Sequence, residues 1–358
     1  MENLLFSEYK LGNNLLKNRV VMAPMTRSRA INNIPNDLMA QYYGQRAGAG
    51  LIITEGTSPS PNGLGYSRIP GLFNKEQAQG WKKVTDAVHA KGSRIFVQLM
   101  HTGRVGHQLN LPEGGRVLAP SAIQVSGNIW TDQKQMQSYP VPEEMTLNEI
   151  EDAINEFVES AKLAVEAGFD GVELHGANGY LIEQFINATA NRRTDEYGGS
   201  AENRIRFALE IARRTVSAIG ADRVGIRVSP YGTACDLGVY EGLEETYELL
   251  AAELNKLGLV YIHVVDHSAM GAPSVSDSVK EKIRKNFKGA YILSGGFDAV
   301  KAGKDIEEGK GDLVAFGRPF ISNPNLVEKL KTGAELRMAD MATFYTPGEK
   351  GYTDYPLD

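Results

Sequence analysis

Short unbroken runs of apolar residues alternate along this chain with longer segments whose apolar positions recur at helical spacing. Unbroken runs read as strands buried on both faces, and spaced ones as amphipathic helices. The pattern predicts strands at Arg19 to Thr26, Gly50 to Gly56, Arg94 to His101 and Gly171 to Leu174. Four more follow at Arg223 to Pro230, Leu259 to Val265, Ala290 to Gly296 and Asp312 to Pro319. Helices are expected from Asp37 to Arg46 and from Lys75 to Ala90, the latter with Trp81, Val84 and Val88 on one face. Thr146 and Glu149 have capping-box spacing ahead of a helix whose face is Ile150, Ile154, Phe157, Ala161 and Val165, and Gly168 ends it. Further helices are expected from Ser200 to Ile219, at 242–256, from Ser276 to Phe287, from Asp298 to Glu308 and from Asn323 to Lys331. Eight strands thus alternate with eight helices.

Strands of this kind joined by helices call for a parallel sheet covered on both faces, and eight such units favour a closed TIM barrel, a (β/α)8 cylinder. The whole chain, 1–358, reads as one barrel domain. Residues 102–145 break the rhythm with Gly, Pro, Ser and Gln, and are expected to form a lid-like excursion after the third strand. An open dinucleotide-binding sheet would want G-x-G-x-x-G after its first strand; Pro24-Met25-Thr26 stands there instead.

Charge and cysteine content narrow the function. The net charge of −6 comes with interspersed signs and no basic run, which leaves no footprint for nucleic acid. Cys235 is the only cysteine, so neither an internal disulfide nor a cysteine-built metal cluster is available, as suits a reducing cytoplasm. The first residues lack the order of a signal peptide, and no apolar run approaches the ~20 residues of a membrane span. A cytoplasmic protein without a membrane partner, acting as a monomer or homodimer, is expected.

Candidate chemistry concentrates where the fourth strand ends. His175, Asn178 and Tyr180 follow a buried run at the carboxyl end of a barrel strand, where polar side chains need a ligand or one another. Ser294-Gly295-Gly296 and Gly317-Arg318 fall at the ends of strands seven and eight, the usual phosphate position in barrels. Either glycine pair alone reads as a turn; both, with an arginine, point to a phosphate. Arg227 lies inside the fifth strand, and two readings stay open: an internal ion pair with Glu173, or a positive charge facing a cofactor that gains electrons. Thr26 and Gln98 are either satisfied core groups or directed donors to a planar heterocycle. His263 and His267 are four apart, but strand spacing argues against a metal site. His101, His107 and Gly103-Arg104 carry no interpretable pattern beyond turn chemistry.

Over nearly its whole length the chain resembles the old yellow enzyme family of flavin-dependent ene reductases. The resemblance rests on NRVVMAPMTR (Asn18 to Arg27), QLMHTGR (Gln98 to Arg104), GFDGVELHGANGYLIEQF (Gly168 to Phe185) and NRRTDEYGGSAENRIRF (Asn191 to Phe207). RVSPYG, AFGRPFISNPNL and GYTDYP complete it. It implies non-covalent FMN over the strand ends, with Ala23, Pro24, Met25, Thr26, Gly56 and Gln98 around the ring and Arg227 at its pyrimidine edge. It also implies Ser294, Gly295, Gly296, Phe316, Gly317 and Arg318 around the phosphate tail. His175 and Asn178 match the pair that holds the substrate's electron-withdrawing group, Tyr180 the proton donor, and Tyr66 and Tyr345 aromatic positions at the pocket mouth. Met100 stands where the family often has tryptophan, a departure that bears on the shape of the substrate pocket, and the first strand lacks the cysteine of one branch. The implied reaction reduces activated alkenes (enones, enals, maleimides, nitroalkenes) with NADPH or NADH. Alternatives from other classes are a barrel lyase or isomerase acting on a phosphorylated substrate, and a non-catalytic flavin carrier.

Overall fold

A computed structural model describes residues 3–357. Eight parallel strands close into a barrel: Val20–Met22, Leu51–Thr57, Arg94–Leu99, Gly171–Gly176, Val224–Val228, Tyr261–Val264, Ala290–Ser294 and Leu313–Phe316. They are numbered one to eight below, and the last pairs with the first. Nearly every strand residue is buried, as the unbroken apolar runs require of a sheet with helices outside and side chains within. No helix among the described residues is long and apolar enough to cross a membrane.

The helix starts follow the sequence signals. Thr146 and Glu149 form the reciprocal capping box of helix Leu147–Glu166, and Ser200 accepts from Asn203 at the start of Ala201–Ile219. Trp81, fully buried on helix Lys75–His89, meets Phe169 edge-on at 5.3 Å and donates to the Gly71 carbonyl at 3.2 Å.

Several expectations are corrected. Ten α-helices are present among the described residues, not eight. One addition, Leu181–Ile186, is buried on every side and therefore has no polar face to create a periodicity. The other, Arg318–Ser322, begins where strand eight was expected to continue; Gly317 turns the chain and a proline is tolerated in a first helical turn. Ahead of strand one, Tyr9–Leu11 and Asn14–Leu16 pair as a hairpin around Gly12, which has positive φ. Leu11 and Leu16 join Val21, Ile53, Phe96, Tyr261 and Ile292 in the apolar floor of the barrel. Strand four runs two residues further than expected, so His175 sits in the ladder opposite Arg227.

Residues 102–145 hold four short strands, including the hairpin Asn128–Thr131 with Gln135–Ser138. Residues 341–352 return across the strand ends, where three buried arginines hold them. Arg27 donates to the carbonyls of Phe344 (3.1 Å) and Gly351 (2.7 Å), and Arg29 to those of Thr343 (2.8 Å), Phe344 (2.6 Å) and Lys350 (3.0 Å). Arg46 reaches the Tyr352 carbonyl at 3.1 Å, while the rings of Tyr42 and Tyr352 stack at 4.0 Å.

Candidate active site

Two cavities open at the carboxyl ends of the strands, of about 700 and about 630 Å³, and they share Pro24, Thr26, Asn178, Arg227, Met341 and Tyr345. That is ligand-sized space. The first is also lined by Gly56, Tyr66, Gln98, Met100, His175 and Tyr180, and the second by Ala23, Met25, Ser294, Gly295, Gly296, Phe316, Gly317 and Arg318. Every site residue expected from the sequence therefore borders one or the other of these two neighbouring cavities.

His175 is 3% exposed, and its ring meets that of Tyr180 edge-on at 5.0 Å. Its Nδ1 is buried with no protein partner. Burial, reinforced by the nearby Arg227 charge, holds the imidazole well below its usual range, so it is neutral at physiological pH. Asn178 takes left-handed φ of 59°, which asparagine tolerates better than most residues. Its backbone N–H donates to Ser229 Oγ at 2.8 Å, and that hydroxyl donates to Glu183 at 2.7 Å. Glu183 also accepts from Gly179 N–H (2.7 Å) and the Tyr247 hydroxyl (3.0 Å). A buried carboxylate thus pins the turn that carries Asn178 and Tyr180. Tyr180 and Tyr66 join their hydroxyls at 3.1 Å, and burial raises the pKa of both phenols.

The Arg227 ambiguity resolves against an ion pair with Glu173. Glu173 is engaged by Gln98 Nε2 (2.8 Å) and His263 Nδ1 (2.9 Å), while Arg227 Nε is buried without a protein partner. An arginine so placed is suited to an electron-rich group in the cavity. His263 and His267 diverge rather than converge: one meets Glu173 inside the barrel, the other Asn178 at its rim. Arg104, read as turn chemistry, is a buried brace that donates to the carbonyls of Cys235 (2.9 Å) and Asp236 (3.4 Å).

The second cavity fits a phosphorylated tail. Gly295 and Gly296 have positive φ, and a Cβ at Gly295 would lie 2.5 Å from the Asp266 carbonyl oxygen. Only glycine lets the backbone run there. Arg318 is exposed at the rim, and its side chain makes no hydrogen bond or ion pair with another described residue. The broader space around Pro24, Gly56, Gln98 and Arg227 suits a flat ring; a Cβ on Gly56 would come within 2.4 Å of Met100 Sδ.

Sequence reasoning missed part of the wall. Asn128, Ile129, Trp130 and Tyr139, from the 102–145 excursion, line the first cavity. Arg68 ties three segments at the mouth: it donates to the carbonyls of Ser28 (3.1 Å) and Tyr345 (2.9 Å) and pairs with Asp132. Ser229 and Glu183 lie inside motifs that carry the family resemblance, which was the available signal for them. His267 had none beyond its spacing from His263.

Residues 4–337 match the model of the NADH:flavin oxidoreductase / NADH oxidase family. The chain is 42% identical to 12-oxophytodienoate reductase 7 of Oryza sativa subsp. japonica, over 99% of this chain and 94% of that protein. It is 40% identical to a protein of Leishmania infantum named "Probable flavin mononucleotide-dependent alkene reductase", over 97% and 95% of the two. Morphinone reductase solved in complex with tetrahydroNAD superimposes with a TM-score of 0.93 at 42% identity, covering 98% of this chain and 97% of that one. With the closed barrel, these similarities establish that the chain belongs to the old yellow enzyme family of FMN-dependent oxidoreductases.

Proposed function

We propose that this FMN-dependent ene reductase divides its chemistry among His175, Asn178 and Tyr180, set above the carboxyl end of the barrel. The substrate is an alkene activated by a carbonyl or nitro group, and a nicotinamide nucleotide is the hydride donor. FMN, when bound, supplies a ring that takes two electrons from the nicotinamide and delivers them to the alkene. Ala23 to Thr26, Gly56, Gln98 and Arg227 would hold that ring, and Ser294 to Gly296 with Phe316 to Arg318 its phosphate.

The remaining steps belong to the chain. As the alkene accepts hydride at its β-carbon, negative charge gathers on the activating oxygen. His175 and Asn178 offer N–H groups to that oxygen, and one such donor contributes roughly 3 kcal/mol of transition-state stabilisation. Tyr180 gives its proton to the α-carbon; its burial-raised pKa keeps it protonated until the adjacent carbon becomes basic. Tyr66, Met100 and Tyr345 shape the space around the substrate. Residues 102–145 act as a partial lid within a single domain, through the hairpin that carries Trp130. Nicotinamide and alkene occupy the same cavity in turn, which gives ping-pong kinetics. The lone Cys235 suits work in the reducing cytoplasm. The oligomeric form is a monomer or homodimer.

The carrying observation is the convergence of His175, Asn178 and Tyr180 on a cavity that shares Pro24, Thr26, Asn178 and Arg227 with the glycine-lined one. The test is anaerobic: purified protein is yellow, bleaches with NADPH or NADH, and regains its colour on adding cyclohexenone. Protein that takes up no FMN, or that bleaches but is not reoxidised by any enone, maleimide or nitroalkene, overturns the proposal.

A further inference from the structure

The loop after strand six brings His267 to the rim, where its Nε2 lies 2.9 Å from Asn178 Oδ1. An amide oxygen has no proton to give, so the hydrogen in this bond belongs to the imidazole. Two assignments follow together. His267 carries its proton on Nε2, and Asn178 turns its oxygen toward the loop. The Asn178 Nδ2 then keeps both of its N–H groups free of any described protein acceptor, on a side chain that borders both cavities.

The backbone of Asn178 is held separately, through Ser229 and Glu183. That anchoring fixes where the carboxamide sits and leaves its orientation open. Oxygen and NH2 of a carboxamide have nearly the same shape, so rotation by half a turn costs little sterically yet inverts the polarity. A flipped Asn178 would point lone pairs at the oxygen whose negative charge it is meant to stabilise.

We infer that His267 is a positioning residue that sets the polarity of the Asn178 carboxamide, and that it acts on the reaction through Asn178 alone. The inference rests on the reading of Asn178 as an oxyanion donor. Burial, with the Arg227 charge, lowers the His267 pKa to about 4, so above that pH the ring is neutral and carries a single proton.

The probe is 4-hydroxybenzaldehyde, titrated into the FMN-loaded protein and followed by long-wavelength charge-transfer absorbance, since a phenolate mimics the developing oxyanion. His267→Gln keeps an N–H donor of similar reach; His267→Met keeps the length and removes the donor. The glutamine variant is expected within about threefold of wild-type affinity and the methionine variant weakened by about tenfold or more, with FMN retained in both. In an Asn178→Ala background, His267→Met is expected to add less than about twofold. Equal losses in the two backgrounds, or a methionine variant that binds as wild type does, overturn the inference and leave the function intact. Wild-type affinity in Asn178→Ala alone overturns the role of Asn178 itself, and the inference with it.

Discussion

The hydroxyl oxygens of Tyr66 and Tyr180 stand 3.1 Å apart with their rings perpendicular, at 89°. Either can donate, so the proton that Tyr180 surrenders has a neighbour from which to be replaced. Tyr180→Phe is expected to slow enone-dependent reoxidation of the flavin by roughly 10²- to 10⁴-fold while its reduction by nicotinamide changes by less than about threefold. Tyr66→Phe removes one hydrogen bond and is expected to cost about tenfold or less. Stopped-flow absorbance of the two half-reactions separates these outcomes.

The oxidative half-reaction should be level in pH between about 6.5 and 10, the ordinary values for histidine and tyrosine. The folded protein lowers the His175 pKa, so it is neutral above its usual midpoint, and raises that of Tyr180, so it is protonated below its own. Both shifts widen the plateau. Single-turnover rates at saturating enone measure it, and an inflection near 6.5 would place the titration on an unperturbed histidine.

The Arg318 side chain has no hydrogen-bond or ion-pair partner among the described residues and borders the glycine-lined cavity. Arg318→Ala should therefore weaken FMN retention by about ten- to a hundredfold with little loss of fold stability. Fluorescence of released flavin on dilution reports the affinity. Turnover at saturating FMN is expected near the wild-type level.

Arg68 clasps the first-strand loop, the hairpin and the 341–347 segment together. Arg68→Ala should leave FMN binding near normal, raise KM for bulky enones several-fold, and speed amide hydrogen exchange at 128–138 and 341–347. Unchanged exchange in both segments would mean that the clasp holds nothing.

Much of this architecture was readable from the chain because barrel strands bury both faces and so print as unbroken apolar runs. His175, Asn178 and Tyr180 stood out because they interrupt such a run at a strand end. What stayed hidden was relational. His263 and Glu173 are 90 residues apart, His267 and Asn178 are 89, and no local pattern encodes either meeting. The helix Leu181–Ile186 escaped because it is buried all round, and the 128–138 hairpin because four residues on a side are too few to establish an alternation.

The arginine clasp over the strand ends joins residues more than 300 positions apart: Arg27 to Phe344 and Gly351, and Arg29 to Thr343 and Lys350. Contacts of such separation close late in folding, since loop entropy must be overcome before they form. Catalytic competence is then the last property the polypeptide acquires and the first it forfeits. In mild urea, turnover should fade while far-ultraviolet dichroism still reports an intact cylinder.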